Sequence, residues 1–269
     1  MSVDLEDHFC DLPFSMWKNF ESRVVSNTKV LLDLFEKYNA NATFFTLGYI
    51  AEKHPELIEE IVSKGHEIAS HSFSHLNINT TTEEKFETDL NKSIKVLSKL
   101  SNEKILGFRA PWFSITKNNL WVFKILQKNL RYDSSIYPAQ FHYGFGNAIR
   151  HPYEISSEDP LMSQSGTNFF EIPMCTLKNS ILGNIPVAGG IYLRFLPINF
   201  IKNGIRNLNK EGYAATCYIH PQDLDHNRPR LNGLSWHNFI GLKNSKKKFE
   251  SLLKDFKFYS VRDVMEFNL

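Results

Sequence analysis

The chain has 269 residues, 42% of them hydrophobic, and a formal net charge of +2. That is enough apolar material for one sizeable α/β domain, and the balance of Lys/Arg against Asp/Glu excludes a nucleic-acid or acidic-membrane footprint. Cys10, Cys175 and Cys217 are odd in number and far apart, so neither a disulfide framework nor a cysteine-rich zinc site is expected.

The opening "MSVDLEDHFC" has no basic or apolar leader region, and no apolar run reaches eighteen residues. The expectation is a cytoplasmic protein without a transmembrane segment, with peripheral membrane attachment open. Short apolar runs then alternate with helical patterns, which predicts βα units. Met1 to Leu5 reads as a first strand. "NTKVLLDLFEKYN" reads as an amphipathic helix, "ATFFTLG" as a buried strand, and "HPELIEEIVSKG" as a helix with Pro55 at its start and Gly65 at its stop. "HEIASH" is the third strand. Thr80 or Thr81 with Glu83 or Glu84 gives a capping-box pattern for a helix that shows Phe86, Leu90, Ile94 and Leu97 on one face. "ILGFRAP", "RYDSSIYP", "NFFEIPM" and "YAATCYIH" read as further strands. They are interleaved with helices over "TKNNLWVFKILQKN" and "LPINFIKNGIRNLNKEG", and a last helix lies near "SKKKFESLLKDF".

Charged groups recur at the ends of these strands. A barrel-like parallel sheet with its site at the C-terminal rim is the expected fold, and a doubly wound open sheet is the alternative. There is no Gly-x-Gly-x-x-Gly or phosphate loop to support a nucleotide site. The segment from Ala139 to Thr167 is long and irregular, as functional loops often are.

"VDLED" crowds Asp4, Glu6 and Asp7 together, with Asp4 and Glu6 on one face of a strand. Such acids repel one another unless a cation lies among them. His71 and His75, in "GHEIASHSFSH", form a His-x-x-x-His pair that can hold one; alone the pair is a weak signal. Two histidines and a carboxylate make the open ligand set of a catalytic zinc, and a mononuclear iron site is also compatible. His66 is read as structural. Arg109 in "GFRAPWF" can hold a first-strand carboxylate ionised, and the Trp112 amide can serve as an oxyanion donor. Asp133 stands at another strand end, and His220, before Pro221, is placed as a general acid. Trp112, Phe113, Tyr143 and Tyr192 can face a ligand or belong to the core. The paired glycines of "VAGGIY" permit a close approach of backbone, to substrate or to another strand.

The order of these motifs resembles the polysaccharide deacetylases of carbohydrate esterase family 4, the nodulation-protein-B homology domain. Within them it is most similar to the exosortase-associated branch. "SVDLEDHF", the stretch from "SRVVSNTKV" to "ASHSFSH", "GFRAPWFSI", "YDSSIYP", "VAGGIYLRFLP" and "YIHPQDLD" carry the resemblance, over nearly the whole chain. It implies a distorted (β/α) barrel of about seven units in a single domain over 1–269, with 139–168 a long irregular loop and 221–269 a C-terminal extension packed on the barrel. It also implies metal-dependent removal of N-acetyl groups from the amino sugars of a glycan partner, with one divalent ion, zinc first. An acid of the first motif with His71 and His75 holds the metal, Arg109 orients the base, Trp112 donates to the oxyanion, and His220 protonates the leaving amine. Trp112, Asp133 and Tyr192 are expected to meet the substrate.

Where the family has two adjacent aspartates, base then ligand, this chain has Glu6 and Asp7. An alignment without a gap makes Glu6 the base and Asp7 the ligand; an offset of one residue makes Asp4 the base and Glu6 the ligand. The expectation retained is Asp7 as ligand, with the base left between Asp4 and Glu6. "HPQD" departs from the Trp-Glu more usual after that proline. The alternatives to a deacetylase are a non-catalytic carbohydrate-binding protein and a hydrolase of another amide, such as a cyclic imide or ureide. The glycan acted on and the oligomeric state are not legible.

Overall fold

A computed structural model describes residues 1–139, 145–146, 148–156 and 158–266. In chain order, β1 (Ser2–Leu5) leads to α1 (Val24–Lys37), β2 (Thr43–Thr46), α2 (Gly48–Lys53), α3 (Pro55–Ser63) and β3 (Glu67–Ser70). Next come α4 (Glu83–Ser101), β4 (Gly107–Phe108), α5 (Val122–Leu126), β5 (Tyr132–Asp133), β6 (Tyr153–Glu154) and β7 (Phe170–Glu171). The hairpin β8 (Thr176–Asn179) and β9 (Gly183–Pro186) follows, then α6 (Gly190–Phe195), α7 (Ile198–Lys210), β10 (Tyr218–Ile219), α8 (Leu242–Asp255) and α9 (Val261–Met265).

The main sheet runs β10-β1-β2-β3-β4-β5-β7-β6, parallel throughout except for β6, which pairs antiparallel with β7. The sheet curls, and a parallel bridge from Met174, just past β7, to Thr216, just before β10, joins its two sides. This is the distorted barrel with a parallel-dominated sheet.

The register explains how the barrel fills. Val3, Phe44 and Ile68 are aligned and face outward against helical residues such as Leu31, Phe35, Ile61 and Leu90. One residue on, Phe45 and Ala69 point inward, where they join Leu106, Tyr132 and Ile172 in a separate inner cluster. A period of two places apolar groups on both faces, so these strands read as continuous apolar runs. Asp4 shares the inner register with Phe45, which puts a carboxylate inside the barrel.

Several elements differ from the sequence expectation. The helix α4 is capped by Thr82, whose side chain accepts from the Lys85 N–H at 3.4 Å, rather than by Thr80 or Thr81. The expected helix over "TKNNLWVFKILQKN" contracts to Val122–Leu126, and the expected strand "YAATCYIH" to Tyr218–Ile219. Within 139–168, described residues Tyr153–Glu154 form β6, so that segment is not wholly irregular. Among the described residues no helix is long and apolar enough to cross a membrane.

Candidate active site

The strand β1 ends at the rim of the barrel, and alternation carries Asp4 and Glu6 to the same side while Val3 and Leu5 enter the outer core. Beyond β3 the chain departs from extended geometry, with Ser72 at φ 66° and His75 at φ 55°. The left-handed conformation at His75, uncommon for a residue with a Cβ, lets the pair His71 and His75 converge. Their ring centroids are 5.4 Å apart. Glu6, His71 and His75 each offer a ligand atom, and these three atoms lie within 4.8 Å of one another.

The hydrogen bonds around the rings fix the tautomers. His71 Nδ1 lies 2.8 Å from the Arg109 carbonyl and His75 Nδ1 lies 3.0 Å from the Cys10 carbonyl. A carbonyl can only accept, so both Nδ1 atoms carry the proton and both Nε2 atoms carry a lone pair when the rings are neutral. His75 Nε2 is 2.8 Å from Glu6 Oε2, and that oxygen, buried, has no hydrogen-bond donor. Lone pair facing lone pair in a buried space calls for a cation between them. The donor set therefore fits a divalent metal. Without a metal ion, a proton on His75 Nε2 meets the same demand. Burial alone would push the Glu6 carboxyl up, but His75, His220 and His71 outweigh it and hold it at about 2. Burial and the neighbouring His75 push His71 well below the usual imidazole range, whereas Glu6 overcomes burial and raises His75.

Asp7, the expected ligand, does not join this group. Its Oδ2 accepts from the Ser22 hydroxyl at 2.6 Å and from the N–H groups of Arg23 at 2.9 Å and Val24 at 3.1 Å, so it caps α1 from a distance in sequence. Its Oδ1 accepts from the His8 N–H at 2.8 Å and meets His8 Nδ1 at 2.7 Å. Burial opposes its ionisation, but these donors outweigh it and lower its pKa. The carboxylate beside the histidines is Glu6, two residues on from Asp4, as in the offset alignment.

Asp4 is 2.6 Å from Arg109 Nη1. The Arg109 side chain, fully buried, also donates from Nε to the Ser134 carbonyl at 3.0 Å and from Nη2 to the Ser134 hydroxyl at 2.9 Å, and it lies 4.0 Å above the Phe45 ring. These contacts leave it one orientation. Trp112 occupies the turn Pro111–Phe113 at φ 52°, packs at a tilt on His75 with ring centroids 4.1 Å apart and donates from Nε1 to Asp11 at 2.8 Å.

Across the cleft stands His220, its Nε2 3.5 Å from Glu6 Oε1 and 4.0 Å from Asp4 Oδ2. Its Nδ1 is 2.9 Å from Asp223 Oδ2, which also accepts the His220 N–H at 2.9 Å. Burial works against the imidazolium, but Asp223, Glu6 and Asp4 overcome it and raise its pKa to about 9. Asp223 in turn pairs with Arg194 Nε at 3.0 Å. Gln222 donates to Glu6 Oε1 at 3.0 Å. The paired glycines find their explanation here. A Cβ on Gly190 would collide with the Asp223 carboxylate, and one on Gly189, at φ 109°, with the Tyr218 ring.

Asp4, Glu6, His71, His75, Trp112 and His220 thus line one cleft of about 250 Å³. Asp133 and Tyr192, expected to meet the substrate, are not among its walls. Asp133 is fully buried against Glu171; burial raises both carboxyls, Asp133 to about 6 and Glu171 well above the usual range, so the pair retains a proton. Ser135, held by Asp133 at 2.7 Å, accepts the Ala110 N–H at 2.8 Å and so steadies the segment that follows Arg109. Tyr192 packs edge-on against Tyr137. Tyr143 lies outside the described residues. Sequence reasoning missed Asp223, Gln222 and Arg194; the only signal was the unusual "PQD" after His220, noted as a departure rather than as a partner.

A polysaccharide deacetylase family model matches residues 13–129, which contain both histidines and Arg109. A second model, a domain of unknown function designated DUF3473, matches residues 134–266, which contain His220 and Asp223. A peptidoglycan deacetylase of Helicobacter pylori is 32% identical over 194 residues, 69% of this chain and 59% of that protein. A peptidoglycan-N-acetylglucosamine deacetylase of Bacillus cereus is 37% identical over 84 residues, 31% of this chain and 39% of that protein. The chain thus spans less than two thirds of the length of these relatives. A crystal structure of a Mycobacterium smegmatis protein described as a polysaccharide deacetylase superimposes with a TM-score of 0.62 at 21% identity, covering 97% of this chain and 85% of that one, and shows the shared fold. The chain thus matches a polysaccharide deacetylase model over residues 13–129 and the DUF3473 model over residues 134–266.

Proposed function

We propose that the protein is a metal-dependent hydrolase that removes N-acetyl groups from the amino sugars of a polysaccharide or glycan intermediate. One observation carries the reading: a three-donor set, Glu6, His71 and His75, faces a carboxylate held by arginine, Asp4, and a histidine held by aspartate, His220, across a single cleft. The names of the relatives support the same chemistry.

Glu6, His71 and His75 would hold one divalent ion, and two imidazoles with a carboxylate suit zinc. Such an ion, when bound, supplies Lewis acidity to the acetamide carbonyl and acidifies a water molecule. The remaining work belongs to the chain. Asp4, paired with and oriented by Arg109, takes the proton of the attacking water. The Trp112 N–H donates to the oxygen of the carbonyl as it becomes tetrahedral. His220, charged at neutral pH because Asp223 and the first-strand acids raise its pKa, gives its Nε2 proton to the amine as the C–N bond breaks.

The test is acetate release from N-acetylated amino-sugar oligomers by the chelated and the zinc-reloaded protein. Release that requires the metal is expected. Binding of glycans with no acetate from any acceptor would replace this reading with a carbohydrate-binding protein, and ring-opening of a cyclic imide would replace it with the other amide hydrolase.

A further inference from the structure

Two arginines line the cleft, and they differ in company. Arg194 pairs with Asp223 at 3.0 Å and also donates to the carbonyls of His237 and Asn238 at 2.9 and 2.8 Å. Arg228, only 7% exposed, meets no carboxylate within ion-pair distance among the described residues. Its Nη2 donates to the His8 carbonyl at 3.1 Å, its Nε is buried with no acceptor, and its guanidinium lies 5.6 Å from the Phe239 ring centroid.

A guanidinium has five donors, so holding one nine-tenths buried with its Nε unpaired is costly unless a further acceptor completes it. A second polar atom in the same cleft is also incomplete: Gln222 Oε1 is buried with no donor and suits a sugar hydroxyl. Glu6, Asp11 and Asp223 border the same space and their charges reach Arg228, so an anion there has to bond the guanidinium directly to offset their repulsion.

We propose that Arg228 is a substrate-binding residue for an oxyanion, so that the acceptor is an N-acetyl amino sugar linked to a carboxylate or a phosphate rather than a neutral homopolymer. This rests on the deacetylase reading and narrows its substrate class. Arg is the side chain that matches the planar oxygens of either group with two parallel hydrogen bonds.

The test uses the zinc-loaded protein and three acceptors: chitotetraose as the neutral one, a disaccharide of N-acetylglucosamine and glucuronic acid, and N-acetylglucosamine 1-phosphate. The kcat/KM for at least one anionic acceptor should exceed that for chitotetraose about tenfold or more, as a charge-assisted hydrogen bond allows. The preferred acceptor distinguishes carboxylate from phosphate. Arg228→Gln should collapse that ratio, mainly through KM, and Arg228→Lys, which keeps the charge but loses the fork, should reduce it part-way; the Lys variant decides the matter if the Gln variant does not fold. Equal kcat/KM for neutral and anionic acceptors in the wild-type protein, or a ratio that neither variant changes, overturns the proposal while leaving a deacetylase. Calorimetry with the acidic disaccharide separates the two readings. Binding that Arg228→Gln abolishes, without acetate release from any acceptor, keeps the anion site and removes the deacetylase.

Discussion

Asp4, Glu6 and Asp7 lie within four residues, yet each carboxylate meets a different environment. Asp4 turns into the barrel to Arg109, Glu6 reaches the histidines two residues later, and Asp7 leaves the strand to cap α1. The pairing of Asp4 with Glu6 was legible because side chains alternate along a strand. The exclusion of Asp7 was not, because its donors are the hydroxyl of Ser22 and the amides of Arg23 and Val24, and no local pattern links them to the first strand. His220 was legible as a polar residue closing an apolar run, but the Asp223 that orients it entered only as part of the departing stretch "HPQD". Since His220 lies 3.5 Å or more from the first-strand carboxylates and outside the donor set, His220→Ala should keep its metal and lose about 10² to 10⁴ in kcat. Metal analysis beside an acetate-release assay checks this; loss of metal in that variant would place His220 among the ligands.

At the scale of elements, the strands and the long helices follow from apolar period and end signals, whereas the short pieces do not. Pro55 and Gly65 bracket α3 as expected, with Gly65 at φ 80°. The opening of β3 shows what the first histidine of "GHEIASHSFSH" does: His66 is buried between Phe35 and Phe44, and its Nδ1 accepts the Ala42 N–H at 3.2 Å. Burial lowers its pKa to about 4, with the Lys64 charge adding to it. The unfolded chain binds this proton from about pH 6.5 downward and the folded chain refuses it until about pH 4. Its contribution is therefore whole above pH 6.5 and declines as the pH falls toward 4. In denaturant titrations, the stability change from pH 7 to pH 5 should be less favourable in the wild-type protein than in His66→Gln by about 2 kcal/mol. An equal change in both proteins would show that His66 is not the group responsible.

The glycine pair before α6 was legible as a site of close approach, but not the partners, because Tyr218 and Asp223 arrive from a different unit of the barrel. Gly190→Ala should displace Asp223, cost about 1–3 kcal/mol of stability and lower kcat with the metal retained. Urea melts and turnover measured together check it, and full activity would mean that Asp223 does not set the position of His220.

Across the whole molecule, the parallel sheet explains why residues so distant in sequence meet. Four strands bring polar side chains to the same rim: Asp4 and Glu6 at the end of β1, His71 and His75 beyond β3, Arg109 beyond β4 and His220 beyond β10. The family model over residues 13–129 and the DUF3473 model over 134–266 therefore each contribute to one cleft, and the first-strand acids precede both matched spans. The rim was legible from polar groups recurring at the ends of apolar runs. Its finer walls, Arg194, Gln222 and Arg228, were not, since they come from α6 and from the segment after β10, where no strand period fixes direction.

The central claim is that Glu6, not Asp7, completes the metal site with His71 and His75. Metal content per folded chain, measured on the wild-type protein, Glu6→Ala and Asp7→Ala after zinc loading and desalting, tests it most directly. About one ion per chain is expected in the wild-type protein and in Asp7→Ala, the latter less stable by about 1–3 kcal/mol for the lost cap, and a large loss is expected in Glu6→Ala. Metal retained by Glu6→Ala and lost from folded Asp7→Ala would contradict the account.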